Sequence, residues 1–194
     1  MLTRHRLLIV LSVAFVFGFM AAVLKGQGSG LRDEMGNLSA PWLLVAFVSG
    51  SAHRQIRKGA LAGLAATVIA LAGFYAAVAL TADLGSVGLR SDLTLAFRGN
   101  IRYFAAGVVS GPTLGALGAW CSSRRSTQAH VVVGLLLLGE PIVIALVVAV
   151  HTLNRLAGGW SVSNPGPYIG EFVVGLTILA LGWRHGRMAA EAPR

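Results

Sequence analysis

Residues 131–150 read VVVGLLLLGEPIVIALVVAV, from Val131 to Val150, with one ionisable side chain, Glu140, followed by one proline, Pro141. At a rise of about 1.5 Å per residue this run is about 30 Å long as a helix, the thickness of a bilayer's hydrocarbon core. No soluble fold needs such a run, so the stretch assigns the chain to the membrane and puts Glu140 near the midplane. An ionised carboxylate is costly at that depth, and a protonated one needs a hydrogen-bond partner. Pro141 has no N–H, so it frees the carbonyl of Leu137 and favours a kink beside the acid.

The rest of the chain agrees. Of its 194 residues, 55% are hydrophobic and 12% charged, against about 25% charged in a soluble domain, and the mean hydropathy is +0.72. An ordinary globule, a disordered regulator and a coiled coil are excluded. Six apolar segments predict an all-α, polytopic bundle in a single domain, residues 1–194, with about six transmembrane helices: Leu7–Leu24, Pro41 to Ala52, Ala60–Thr81, Ile101–Trp120, Val131–Val150 and Tyr168–Gly186. The second is short and must borrow residues upstream, tilt or sit in a thinned bilayer to cross. The first has a basic start but no small-x-small cleavage pattern before Lys25, and reads as a retained helix. The run 158–167 reads as an outer loop, with turns at Asn164-Pro165 and Gly166-Pro167.

The net charge of +9 does not point to nucleic acid, because the basic residues are scattered in small groups between apolar runs. They orient the helices instead. Arg4, Arg6, Arg54, Arg57, Lys58, Arg124, Arg125, Arg184, Arg187 and Arg194 fall on one side, and Lys25, Arg32, Arg90, Arg98, Arg102 and Arg155 on the other. This predicts a multi-pass cell-membrane protein with both termini in the cytoplasm. The acids Asp33, Glu34, Asp83 and Asp92 then fall outside. Gly107, Gly111 and Gly115 repeat at a four-residue spacing and predict close helix contact. A lone Cys121 excludes a disulfide framework.

Few residues carry chemistry. Glu140 and Glu171 are the only acids inside apolar segments. Glu171 lies near the outer start of the last helix, where a helix dipole alone would favour it. His151 follows Glu140 by three helical turns and shares its face. Trp42, Phe74, Tyr75, Tyr103 and Tyr168 collect in the outer half, with Phe104 and Phe172. Ring faces and a buried acid suit a hydrophobic substrate that passes through a cation. Nucleotide, zinc-protease, paired-cysteine and hydrolase-elbow motifs are missing from the sequence. So is the DDxxD motif of magnesium-dependent prenyl ionisation. No metal or cofactor is expected.

The run Pro41-Trp42-Leu43-Leu44-Val45-Ala46-Phe47-Val48-Ser49-Gly50, with Ala62-Gly63-Leu64-Ala65-Ala66, Gly73-Phe74-Tyr75, Gly107-Val108-Val109-Ser110-Gly111-Pro112 and Gly139-Glu140, resembles small actinobacterial membrane proteins. These words are similar to the membrane-bound terpene cyclases of bacterial indole-sesquiterpenoid pathways, the drimentine and xiamycin type. The resemblance implies cofactor-free, proton-initiated cyclisation of a farnesylated indole or a related prenylated compound. Glu140 would be the general acid and Glu171 a second acid. Trp42, Phe74, Tyr75, Tyr103, Tyr168 and His151 would hold the substrate. The alternative is a membrane protein that binds or transports a small molecule, either an importer's substrate-binding subunit or a proton-coupled carrier, with Glu140 binding a proton or an amine.

Overall fold

The structure, a computed structural model, describes residues 4–25, 30–81, 94, 98, 101–123, 126–156 and 162–191. Asp83, Asp92, Arg124, Arg125 and the side chain of Tyr103 lie outside the described residues. Among those described, the elements are all helices: α1 (Arg4–Lys25), α2 (Leu31–Asn37), α3 (Ala40–Ser51), α4 (Ile56–Thr81), α5 (Ile101–Ser122), α6 (Ser126–Ala149), α7 (His151–Leu156) and α8 (Gly166–Glu191). Within them, five segments are long and apolar enough to span: Leu8–Lys25, Ile56–Leu80, Phe104–Ser122, Gln128–Ala149 and Gly166–Arg184. Large apolar side chains point outward from them, including Ile9, Val13 and Val16 on α1 and Val173, Val174 and Leu181 on α8. A surface this apolar on several sides suits lipid rather than water.

The all-α polytopic bundle is as expected, and the second of its six expected segments is the short one. α3 has 12 residues, about 18 Å of helix, too short to cross. It is the second half of a broken element whose first half is α2. The break has a local cause. Pro41 has no N–H, and its ring would collide with the carbonyl of Asn37 if one helix ran through both. Leu38 therefore turns away with φ −58° and ψ 125°, and the helix restarts with Pro41 in its first turn, where proline is tolerated.

The half of the bundle at the C-terminal end of α3 is built on small residues. A methyl group added to Gly115 would strike the Gly59 carbonyl and the Gly63 backbone, and one added to Gly50 would strike Gly115. Backbones of α3, α4 and α5 therefore touch, as the four-residue glycine spacing predicts. Gly59 against Ala119 and Gly63 against Gly111 make α4 and α5 antiparallel. α6 and α8 are antiparallel too, with Gly134 beside Leu179 and Gly182 beside His130. Phe47, Leu114 and Cys121 are buried together on the flank of this contact, with Val132, Val133 and Leu136 of α6 packed on them.

Candidate functional site

The break between α2 and α3 is where the chain's buried acids gather. Every α-helix begins with amide N–H groups that lack a partner inside the helix. At α3 the residue in the capping position, Ser39, makes no side-chain cap. The cap comes from α6 instead. The Ser39 N–H donates to both oxygens of Glu140, at 2.8 Å (Oε1) and 2.7 Å (Oε2), and the Ala40 N–H donates to Oε2 at 2.8 Å. A carboxyl at a helix N-terminus also gains from the helix dipole. Glu140 thus ties the broken helix to α6. Its oxygens are occupied as acceptors, and presenting a proton to a substrate would mean breaking the cap.

On the α2 side of the break stands Glu34, which is buried. It accepts hydrogen bonds from the Ser163 N–H (3.0 Å), the Ser163 hydroxyl (2.9 Å) and the Tyr168 hydroxyl (2.8 Å). Burial pushes its carboxyl up, but the hydrogen bonds from Tyr168 and Ser163 outweigh that and hold it below the usual carboxylate range. Sequence reasoning left Glu34 in an outer loop. α2 is too short to show a periodic pattern, and only the Asp33-Glu34 pair in its first turn hints at a helix start.

Glu171 is the third acid and the exception. Only 7% of it is exposed, and neither carboxyl oxygen has a hydrogen-bond partner. It lies in the second turn of α8, beyond the N–H groups of the helix start, so the dipole explanation does not hold for it. It is within electrostatic reach of Glu140. Among the described residues, no ion pair compensates any of the three carboxyls. A buried carboxyl in this state needs a proton or a cation from outside the protein's own side chains.

An apolar groove of about 290 Å³ lies between α6 and α8, with Glu171 outside its lining. Pro141, Ile144, Val148, Tyr168, Ile169 and Phe172 are among its walls. Tyr168 stands one turn before Glu171 and Phe172 directly after it, while Pro141 directly follows Glu140. A second apolar cavity, about 410 Å³, lies between α1 and α3 and is lined by Val13, Phe17, Leu44 and Val45, among others.

The other expected site residues go elsewhere. The rings of Phe17, Trp42, Phe74, Tyr75 and Phe104 form one continuous row. Neighbouring centroids are 5.2, 5.7, 5.4 and 4.9 Å apart, edge to face except for the stacked last pair. These rings join α1, α3, α4 and α5 by packing on each other. Trp42, Phe74 and Tyr75 touch neither the groove nor the second cavity. His151 is exposed at the start of α7. α6 ends at Ala149, so the helical register that would align His151 with Glu140 is interrupted. The Gly166-Pro167 turn is instead the start of α8, and the turn before it is held by the Gly166 N–H donating to Asn164 Oδ1 at 2.9 Å. The structure brings together Glu140, Glu171 and Tyr168 and adds Glu34 and Ser163.

These features define a polytopic α-helical membrane protein with a buried acidic site at a helix break. The chain belongs to the family described as "Family of unknown function (DUF6518)", whose model matches residues 2–191. No curated protein and no solved structure matches it.

Proposed function

We propose that the protein binds a small hydrophobic molecule in the groove between α6 and α8 and moves it across the cell membrane, with Glu171 as the group that exchanges a proton. The observation that carries this reading is the Glu171 carboxyl, buried and without a partner on the helix that forms one wall of an apolar groove. The broken helix supports it. Discontinuous helices near the midplane are where transporters place substrate and ion sites, because they bring polar backbone to a depth where intact helices offer none. Here Glu140 holds the break in place, Glu34 and Tyr168 close its α2 side, and Glu171 is free to act.

The cyclase suggested by the resemblance is the second reading, favoured by the two aromatic walls of the groove, Tyr168 and Phe172. In that reading the initiating proton comes from Glu171, because Glu140 is engaged in the cap. The readings part on the fate of the molecule. Proteoliposomes with an acidic exterior would be given a set of small hydrophobic compounds that includes a farnesylated indole. The carrier reading expects uptake of an unchanged compound that dissipates the pH gradient, lost in Glu171→Gln. Conversion of the prenylated compound to an isomer of equal mass, without gradient dissipation, would replace it with the cyclase.

The orientation with both termini in the cytoplasm is part of the proposal, and the basic residues support it. Cys121 is buried, so its own thiol is a poor reporter of sidedness. In a Cys121→Ala background, a cysteine introduced at the exposed Ser163 should react with an impermeant maleimide in intact cells, and one at the exposed Ser123 should not. The reverse pattern would invert the bundle.

A further inference from the structure

We propose that the molecule accepted by this site is a cation, a small hydrophobic amine whose ammonium group lies on Glu171 while its apolar body fills the groove between α6 and α8. The inference rests on the binding reading above and adds the ligand's charge and size. Four observations converge on it.

The first is the state of Glu171. It is 93% buried, reading its 7% exposure the other way, and both oxygens lack a donor. Hydrogen-bond acceptors left open in a dry site call for a donor, and a charged donor gives the stronger bond. The second is the sign of the surroundings. Glu140 acts electrostatically on Glu171, and Glu140, Glu171 and Glu34 all act on Tyr168. The nearest described guanidinium on α2, Arg32, is turned to the Val23 carbonyl at 3.1 Å. An anionic ligand would meet three carboxyls, whereas a cationic one meets an unfilled acceptor in a negative field.

The third observation separates an organic cation from a metal ion. Among the described residues, no group of three His, Cys, Asp or Glu side chains could hold a metal. Hard cations take six or more oxygens, and most oxygens of Glu34 and Glu140 are already engaged by N–H and O–H donors. An ammonium group needs only one carboxylate and ring faces, and Tyr168 and Phe172 flank Glu171 on the same helix. The fourth is size and polarity. The groove is apolar throughout apart from the Tyr168 hydroxyl, which is turned to Glu34. At about 290 Å³ it sits at the small end of ligand sites, about 300–1,000 Å³. A single aromatic ring with a short aminoalkyl arm fits these limits. Glu171 is buried behind the lining of the groove, so binding includes a displacement of the side chains between them.

The test compares a charged probe with a neutral one of the same shape. Equilibrium dialysis of 2-phenylethylamine and of 2-phenylethanol would be run against the full chain in nanodiscs at neutral pH. The amine should bind at least about tenfold more tightly, the value of one charge-assisted hydrogen bond. Glu171→Gln should abolish that preference, and Glu171→Asp, which keeps the charge, should restore part of it and guard against a folding defect. If the alcohol binds as well as the amine, and Glu171→Gln weakens both, the binding reading stands and the cationic ligand falls. If Glu171→Gln binds both probes as the native protein does, the site itself is misplaced. Failure of the native protein to bind either probe overturns the size and class assigned here.

Discussion

The C-terminal end of α3 and its N-terminal end meet the same problem, backbone close to backbone inside a membrane, and solve it differently. At the C-terminal end Gly50, Gly59, Gly63 and Gly115 let three helices touch. At the N-terminal end the helix starts in mid-bundle, its first N–H groups are satisfied by Glu140 from α6, and a second carboxyl, Glu171, is buried with no partner at all. The first region uses residues that do nothing but permit approach. The second retains a polar group that stability alone would remove. That contrast is why the N-terminal end is read as the site and the C-terminal end as the frame.

The largest effect expected is in the frame. Gly115→Leu forces a branched side chain into the backbones of α3 and α4, where nothing can move aside. Overpacking of a core costs typically about 1–3 kcal/mol and sometimes more, and with backbone as the obstacle the upper part of that range applies. The measurement is thermal unfolding in detergent together with the yield of monodisperse protein. A native-like melting temperature would mean that the close contact between α4 and α5 is not as described.

Glu140 and Glu171 should next respond with opposite signs. Glu140→Ala removes a helix cap and leaves the N–H groups of Ser39 and of buried Ala40 open, a loss of about 1–2 kcal/mol, with Glu140→Gln milder because its amide oxygen still accepts. Glu171→Leu removes unpartnered oxygens whose burial costs about 1–3 kcal/mol and should raise the melting temperature while ending ligand binding. Equal destabilisation by both substitutions would erase the distinction between cap and site, and would mean that Glu171 has a structural partner.

The smallest effect is a dependence on pH at the α2 side. Glu34 is held below the usual carboxylate range by Tyr168 and Ser163. Its contribution is therefore full above the unfolded value of about 4.3 and fades as the pH falls through the lower folded value. Amide exchange in α2 should rise on acidification over that window, and Tyr168→Phe should raise it already at neutral pH. A flat profile between pH 3 and pH 6, a range set from about 4.3, would detach α2 from α8.

Much of the frame was legible in the sequence because its causes are local. Helix existence follows from apolar length, as Val131–Val150 shows, and the glycine contacts of α5 follow from a spacing that puts Gly107, Gly111 and Gly115 on one face. Glu140 was also visible, since nothing around it in sequence could compensate it. Its job was not, because the groups it serves, the N–H groups of Ser39 and Ala40, lie about a hundred residues away. Trp42, Phe74 and Tyr75 were legible as one outer cluster, but sequence could not distinguish rings that line a space from rings that fill it.

The sequence by itself determined that this is an all-helical membrane protein with two acids where acids are expensive, because hydrophobic length and charge are properties of single segments. Only the tertiary structure decided that a short helix, α2, precedes the second segment and that the chain breaks between them at Leu38-Ser39. It also decided that Glu140 is used up in capping that break, and that Glu34, Tyr168 and Ser163 close its other side. The physical reason is the same in each case. Whether a buried polar group is satisfied depends on which distant donor reaches it, and among these acids only Glu171 is reached by none.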